Sequence, residues 1–437
     1  MLKTDGNLMM KKILLFFAAC WLSASSFAAN VEIDRSWYLA GEPMKIEVSF
    51  EDAFIAYAEL CNSNSLAAGT MVQLQGGKGS GILELPADIP SGYYVLNVYA
   101  RGNNKVESKL VPVVNLLHKN QEDNIKWEKI ETGDSLSYPV MLKANGEPCS
   151  LFNVQRSLSS TLNVKEIEGH IVQVHIKNVC EDVTFKAHQI RPSLGIVGKQ
   201  IHYFEGKMIN DTTALIYTFG LQGKHPIVLS AITETGVHLP IQMMSPYAAM
   251  LPKELPSLAF HYQRNEVEKR SREMQLHQMA ITPEKRETTI GEYNDSTTEE
   301  VVPLPYDAKI FAKAPDQSYN LDEYRQFHAL REVITEYVTE VLRSNANNME
   351  RFVVLGEDAG HDMRPAMVFM DGMPVYDLEK LQNYDSRRVH YINIYYGDYT
   401  FGNTIYKGIV SFVSRSGRLT NYPTESNTQY LVYEFPK

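Results

Sequence analysis

"PAMVFMDGMPVYDLEKLQNYDSRRVHYINIYYGDYTFGNTIYKGIVSFVSRSG", residues 365–417, decides how the C-terminal part of the chain is read. Met367 to Met370 form a short apolar strand closed by Asp371-Gly372, a dipeptide that favours a two-residue hairpin turn. Val375 begins a short return. "DLEKLQNY" suits a short helix, "VHYINIYYG" a strand and "KGIVSFVSRSG" a closing strand. In the second of these, Ile392 and Ile394 share one face, with Tyr391, Asn393 and Tyr395 on the other. With the isoleucines inward, Tyr391, Tyr395, Tyr396, Tyr399 and Phe401 make a partly exposed aromatic set. Such a set serves either as contact anchors for a partner or as cross-strand packing within the sheet.

Upstream, a helix is expected to open at Asn320 as N-cap, with Glu323 three residues on and Tyr319 packing on Tyr324. Phe327, Leu330, Val333, Ile334, Tyr337, Val338 and Val341 then follow helical spacing and give a core stripe. "RFVVL" follows as a strand. The loop "GEDAGHD" carries Glu357, Asp358, His361 and Asp362, but it lacks the ligand spacing of a dedicated calcium loop and reads as a solvated acidic loop.

Two more pieces precede this one. From about Asn30 to Leu116 the chain has period-two runs separated by Gly and Pro turns. Met44, Ile46, Val48 and Phe50 alternate; then come Ile82, Leu83 and Leu85, a Pro90-Ser91-Gly92 turn, and Tyr94, Leu96 and Val98. That pattern indicates an antiparallel β-sandwich. In the second piece, "HIVQVHIKN" puts Val172, Val174 and Ile176 on one face and Gln173, His175 and Lys177 on the other. "TALIYTFGLQGKHPIVLSAIT" adds two apolar strands around Gly223, and a second Ig-like sandwich follows. "FHYQRNEVEKRSREMQLHQM" turns to a charged surface helix that packs one narrow face. "ITPEKRETTIGEYNDSTTEEVVP" shows no sustained period and reads as a linker.

The chain of 437 residues is 44% hydrophobic, enough for several cores, and 22% charged. Its net charge of -10, with no basic block, argues against nucleic acid and gives no support for an anionic membrane surface. At the N-terminus, Lys11 and Lys12, a short apolar run, and small residues at Ser26 and Ala28 read as a secretory signal peptide cut after Ala28. "FAAC" ending at Cys20 is a poor lipoprotein box: a long apolar side chain normally sits where Phe17 is, and the region after Cys20 stays apolar. Export permits disulfides, and the mature chain keeps Cys61, Cys149 and Cys180. A Cys149–Cys180 bridge would close a loop worth roughly 3 kcal/mol, the other reading being three small buried hydrophobes.

"DRSWYLAGEPM" and "LPADIPSGYYVLNVYAR" resemble the macroglobulin-type β-sandwich of bacterial surface and periplasmic proteins. That resemblance implies a spacer or binding module rather than a catalyst. The stretch from Tyr306 to Gly417 resembles the plug domain of TonB-dependent outer-membrane receptors. The matching residues are Asp371, Gly372, Pro374 and Val375, then Ile392, Ile394 and Gly397, then Phe401, Gly402, Gly408, Ile409 and Val410. Ser414 stands where the family usually has Thr. In that family a barrel of strands about 9–11 residues long follows. Here the 20 residues after Gly417 suffice for one or two short strands, and no energy-coupling box stands near the mature N-terminus. The resemblance therefore implies the fold and the outer-membrane neighbourhood, not nutrient uptake.

The expected architecture is mainly β and multidomain: two Ig-like or macroglobulin-like β-sandwiches followed by a small α/β plug-like domain. Its bounds are a signal peptide over 1–28, sandwiches over 29–117 and 118–260, a surface helix over 261–280, a linker over 281–305 and the plug-like domain over 306–437. Motifs for serine or zinc hydrolases, P-loops and dinucleotide folds are absent from the sequence. His170 and His175 are five apart, the wrong spacing for one shared face of a strand, and read as surface or satisfied histidines. The expected function is a non-enzymatic binding or adaptor protein of the periplasm or outer membrane, without cofactor or metal. Its partner would be an outer-membrane or periplasmic protein, such as a barrel or secretion component, or a glycan. Membrane association would come only through that partner or a lipid on Cys20. The alternatives are an accessory or truncated component of a TonB-dependent transport system and a macroglobulin-like protease-binding protein.

Overall fold

The structure is a computed structural model that describes residues 30–103, 105–116, 125–130, 138–142, 164–167, 169–180, 183–280, 290–292, 314–346, 349–356, 363–401 and 404–437. The expected signal peptide, Cys149, the acidic stretch at 357–362 and Gly402 lie outside the described residues. The chain is mainly β, built from several sheets. It divides into two compact units. The first comprises the described residues within Met1–Ala68, Val72–Lys165 and Met250–Gln275; the second, those within Gly69–Met71, Glu166–Ala249 and Leu276–Lys437.

The first unit starts with eight strands: β1 (Asn30–Ile33), β2 (Tyr38–Leu39), β3 (Pro43–Ser49), β4 (Ile55–Cys61), β5 (Leu66–Gln73), β6 (Lys78–Glu84), β7 (Gly92–Tyr99) and β8 (Val106–Val114). They form two sheets, β1-β3-β6 and β2-β8-β7-β4-β5. The alternation read from sequence sets the inner faces: Met44, Ile46, Val48 and Phe50 meet Tyr94, Leu96 and Val98 in one core. Leu83 and Leu85 join that core, whereas Ile82 is 48% exposed on the other face of β6. Two further strands, β9 (Ile125–Ile130) and β10 (Tyr138–Leu142), follow.

The motif "DRSWYLAGE" is structural. Tyr38 donates its hydroxyl proton to Asp34 at 2.8 Å, and Lys45 N–H donates to the same oxygen at 3.0 Å. Burial, reinforced by that carboxylate, pushes the Tyr38 hydroxyl well above its ordinary range. Gly41 takes φ 88°, which brings the Glu42 carboxylate back onto Leu39 N–H at 2.7 Å.

The second unit carries β11 (Gly169–Ile176), β12 (Val179–Cys180), β13 (Val183–Thr184), β14 (Ile190–Ile196), β15 (Tyr203–Glu205), β16 (Lys207–Met208), β17 (Thr213–Phe219), β18 (Gly223–Thr233) and β19 (Ile241–Met243). One sheet runs β16-β17-β11-β19, and β12 pairs with β13. Val172, Val174 and Ile176 are buried as the alternation predicts, but Gln173 is buried too, so only the far end of β11 has a solvent face.

The chain then returns to the first unit. β20 (Ser257–Gln263) pairs parallel with β9 and antiparallel with β10, and α1 (Arg264–Ala280) follows. The sequence-based boundary for the second sandwich, 118–260, is therefore corrected: its own strands end at Met243, and β20 answers β9 and β10. α1 docks by a narrow stripe, as its sparse apolar positions require. Val267 joins the Trp37, Leu39 and Tyr93 cluster. Arg270 lies 3.6 Å over the Trp37 ring and donates to Glu42 at 2.6 Å. Backbone of this return segment also satisfies two buried polar groups of the sandwich. Glu59 accepts from Met250 N–H at 2.8 Å, and Asn97 donates to Met250 O at 3.1 Å.

The last elements belong to the second unit: β21 (Ile290–Glu292), β22 (Gln317–Asn320), α2 (Leu330–Tyr337), β23 (Val341–Ala346), β24 (Met349–Val354), β25 (Met367–Met370), β26 (Met373–Pro374), α3 (Leu378–Asn383), β27 (Val389–Phe401), β28 (Thr404–Ser414) and β29 (Gln429–Phe435). They build a mixed sheet, β22-β27-β28-β25-β26, beside the β23-β24 hairpin. β25 and β28 pair in parallel, and both faces of the sheet are covered, which is why "MVFM" and "GIVSFV" are buried throughout and apolar except at Ser411.

Three expectations are corrected here. The helix expected from Asn320 is a single 3-10 turn at Leu321–Glu323; α2 starts only at Leu330, and Val341 already belongs to β23. The linker at 281–305 contains β21, which pairs with β29. β29 itself leaves the expected 306–437 piece and enters the second sandwich, whose other sheet runs β15-β14-β18-β29-β21. The alternating "LVYEF" finds its register there because Leu431, Tyr433 and Phe435 all point into a core and are almost fully buried.

Candidate functional site

The glycines and the aspartate of the opening stretch act on backbone geometry. Asp371 and Gly372 have φ 45° and 75°, the two left-handed central residues of a tight hairpin turn between β25 and β26. The buried Asp371 carboxylate accepts from Ser414 N–H at 2.7 Å, Ser414 Oγ at 2.6 Å and Leu419 N–H at 2.9 Å. Burial pushes its pKa up, and these three donors pull it back. Gly372 and Pro374 face the second sandwich at close range. A Cβ on Gly372 would sit 2.3 Å from Ile196 O, and a Cβ on Gly195 would sit 3.0 Å from Pro374 Cδ. Gly397 and Gly408, with φ 117° and 82°, mark a β-bulge where the β27–β28 register shifts between Tyr395 and Asp398.

The aromatic set divides between two cores. Ile392 and Ile394 are fully buried under α2 and α3. On the opposite face, Tyr395, Tyr399 and Phe401 pack against Ile201, Tyr203, Phe369 and Tyr406. The Tyr203 ring stands edge-on to Phe401 at 5.0 Å and to Phe369 at 5.6 Å. Tyr396 leans on the other core, and Tyr391 is half-buried beside His390 at 4.0 Å between ring centroids. All five aromatics stay partly exposed, as the alternation predicts, and four of them also pack against a core. A sandwich strand partly covers the face that the alternation alone leaves open. The same contact is held by Arg191, which donates to Tyr406 Oη and Thr404 Oγ1, both at 2.8 Å.

His170 and His175 separate cleanly. His175 is exposed. His170 is buried, with Nδ1 3.0 Å from Glu166 Oε1 and Nε2 2.6 Å from the Tyr433 hydroxyl. That relay ties β11 to β29 across the two sheets of the sandwich. Among the described residues no cluster of His, Cys, Asp or Glu has metal-binding geometry.

Sequence reasoning missed a site beside α2. It is a shallow depression with room for about one water, lined by Leu321, Phe327, Val333 and Tyr337, by Tyr324, Gln326 and Ser386, and by Arg325, Arg387 and Arg415. The rings are contiguous: Tyr324 lies 4.7 Å from Tyr337, and Phe327 lies 5.6 Å from Tyr337. Two of the arginines are set by carboxylates behind them. Arg387 holds Asp385 through two 2.8 Å bonds, and Arg415 pairs with Asp322 while its Nε donates to Arg387 O. Those guanidiniums hold both carboxyls below their usual range. The missed signal was the recurrence of arginines at 325, 387 and 415, far apart in sequence and adjacent only through β27 and β28.

Glu425, on the crossover from β28 to β29, is 5% exposed, with Lys380 and Asp377 of α3 and its cap, Tyr422 and Tyr430 as its charged and titratable neighbours. Burial pushes its pKa up from 4.5 to about 7. The native state therefore holds this proton more tightly than the unfolded chain does. The stabilisation is complete below about pH 4.5 and fades as pH rises through 7, a change of about 3 kcal/mol at most. Glu425→Gln should remove that dependence. Urea midpoints of variant and wild type should agree near pH 4 and separate by pH 8, the variant being the more stable; a constant difference across that range would show Glu425 ionising normally.

No family model matches the chain, and no curated protein matches it. Among solved structures, the BSP domain of a biofilm-associated protein overlaps it at 12% identity and a TM-score of 0.17, covering 51% of this chain and 30% of that one. A Salmonella α-2-macroglobulin mutant overlaps at 8% identity and a TM-score of 0.18, covering 54% of this chain and 15% of the other. A putative membrane-anchored protein from Corynebacterium diphtheriae overlaps at 9% identity and a TM-score of 0.19, covering 54% and 58%. The chain thus spans less than two thirds of each. Overlaps of this depth carry no functional inference, and the function rests on the chain's own residues.

Proposed function

We propose that this protein is an exported, non-enzymatic binding scaffold of the periplasm or outer membrane. In this reading a macroglobulin-type sandwich and an Ig-like sandwich carry a plug-like α/β sheet that engages a protein partner. The observation that carries it is the insertion of β29 between β18 and β21. The chain that leaves the α/β sheet after β28 enters the sandwich as β29, and the Gly372 and Tyr203 contacts add to that join, which suits a presenting platform. The basic start and apolar run of residues 1–28 support export. Fractionation of tagged full-length chain should recover it outside the cytoplasm; cytoplasmic recovery would sink the reading. In-cell crosslinking should then place an envelope protein among its partners.

A further inference from the structure

We propose that the arginine-lined depression beside α2 is a phosphate site that takes the terminal group of a phosphate monoester. Arg325, Arg387 and Arg415 line it without a carboxylate among them, in a chain whose net charge is -10. They come from separate places in the chain: the approach to α2, the turn before β27 and the residue after β28. No local charge run explains their meeting.

Two of these arginines are held by their own ion pairs and still have donors to give. Arg387 commits Nε and Nη2 to Asp385, which leaves Nη1. Arg415 donates from Nε to Arg387 O and from its two Nη atoms to Asp322. A guanidinium has five N–H donors, so each keeps some for a ligand. Asp322 and Asp385 do not line the depression; they fix the guanidiniums from behind. A ligand is thereby spared the cost of ordering two long side chains. Arg325 is exposed and has no ion-pair partner among the described residues, so its charge is uncompensated.

Shape chooses within the anions. The depression has room for about one water, hence for one oxygen and not for a side chain. A phosphate monoester has three terminal oxygens in tetrahedral array: one enters, and the others face the guanidiniums. A carboxylate has only two, both used in a paired contact with a guanidinium, and leaves the depression unfilled. Tyr324 and Gln326, exposed in the lining, add a hydroxyl and an amide as neutral donors. An extended polyanion meets the repulsion of the whole acidic chain, whereas a single phosphate meets only the local field.

This site goes beyond the partner reading above, and the two fail separately: fractionation tests location, titration tests the depression. Purified full-length chain is titrated calorimetrically at low salt with glycerol 3-phosphate, acetate and glycerol. Glycerol 3-phosphate should bind about ten-fold more tightly than acetate, with an affinity that falls as salt rises, and glycerol should not bind. Arg325→Ala should weaken binding about ten-fold, the scale of one lost charge-assisted hydrogen bond, with an unchanged urea midpoint because Arg325 is exposed. Arg325→Lys should restore part of the loss. Arg331→Ala removes the same charge from an exposed position of α2 outside the lining and should leave affinity unchanged. Phosphatidylcholine vesicles with and without phosphatidic acid separate the sources of the phosphate. Co-sedimentation that needs phosphatidic acid and is competed by glycerol 3-phosphate assigns a lipid headgroup; calorimetric binding without co-sedimentation assigns a soluble ester. Absence of binding at millimolar glycerol 3-phosphate, equally tight acetate, or equal losses in Arg325→Ala and Arg331→Ala would each overturn the proposal.

Discussion

Gly372→Ala is expected to cost the second unit about 3 kcal/mol or more of stability, from two sources that add. At φ 75° an alanine is strained, and its Cβ would lie 2.3 Å from Ile196 O and 3.0 Å from Gln200 O. Both obstacles are backbone atoms of the sandwich, so no rotamer change relieves them. The turn must then move away, which strains the Asp371 hydrogen bonds to Ser414 and Leu419. Gly397→Ala separates the two sources. Gly397 also has positive φ, 117°, but nothing lies within 4 Å of its Cβ position. Strain alone should cost it about 1 kcal/mol. Urea midpoints of the two variants test this directly, and equal losses would mean the close approach of Gly372 to Ile196 is absent in solution.

A chain ending at Thr428 should lose cooperative folding of its second unit. β29 supplies Leu431, Tyr433 and Phe435, at 2%, 1% and 0% exposure. Burial of such side chains contributes about 1.5–3 kcal/mol each, so their loss approaches the roughly 5–15 kcal/mol that holds a domain folded. The truncation also strips β18 and β21 of their ladder partner and removes the Tyr433 hydroxyl from the buried His170. Thermal scans of the truncated chain should show the second-unit transition missing. A synthetic peptide of residues Gln429–Lys437 added in trans should restore it, since strand addition needs only the ladder and the pockets. An unchanged transition would place β29 outside the fold's stabilising core.

How far each element could be read depends on how local its cause is. Asp371-Gly372 is a two-residue turn whose conformation follows from its own backbone preferences. The alternation in Met44, Ile46 and Val48 fixes an inner face by itself, because any sandwich must bury one face. The Asn320 cap was legible as a cap, yet it closes only a 3-10 turn. Backbone pairing with a distant segment intervenes. Leu330 N–H donates to Tyr384 O, and Ser386 N–H to His328 O, holding 328–329 extended until α2 begins. A helical stripe in sequence carries no record of that competitor.

The sequence by itself determined the periodicities, the tight turns, the capping residues and the narrow docking face of α1, because each depends on residues a few positions apart. Only the tertiary structure decided which surfaces meet. It put the Tyr395, Tyr399 and Phe401 face under Tyr203, gathered Arg325, Arg387 and Arg415 around one depression, and sent β29 back into the second sandwich. Alternation states that a strand has two faces; it does not state what covers them. That is settled by long-range burial and ladder pairing, whose partners here stand up to some two hundred residues apart, as Pro226 and Val432 do.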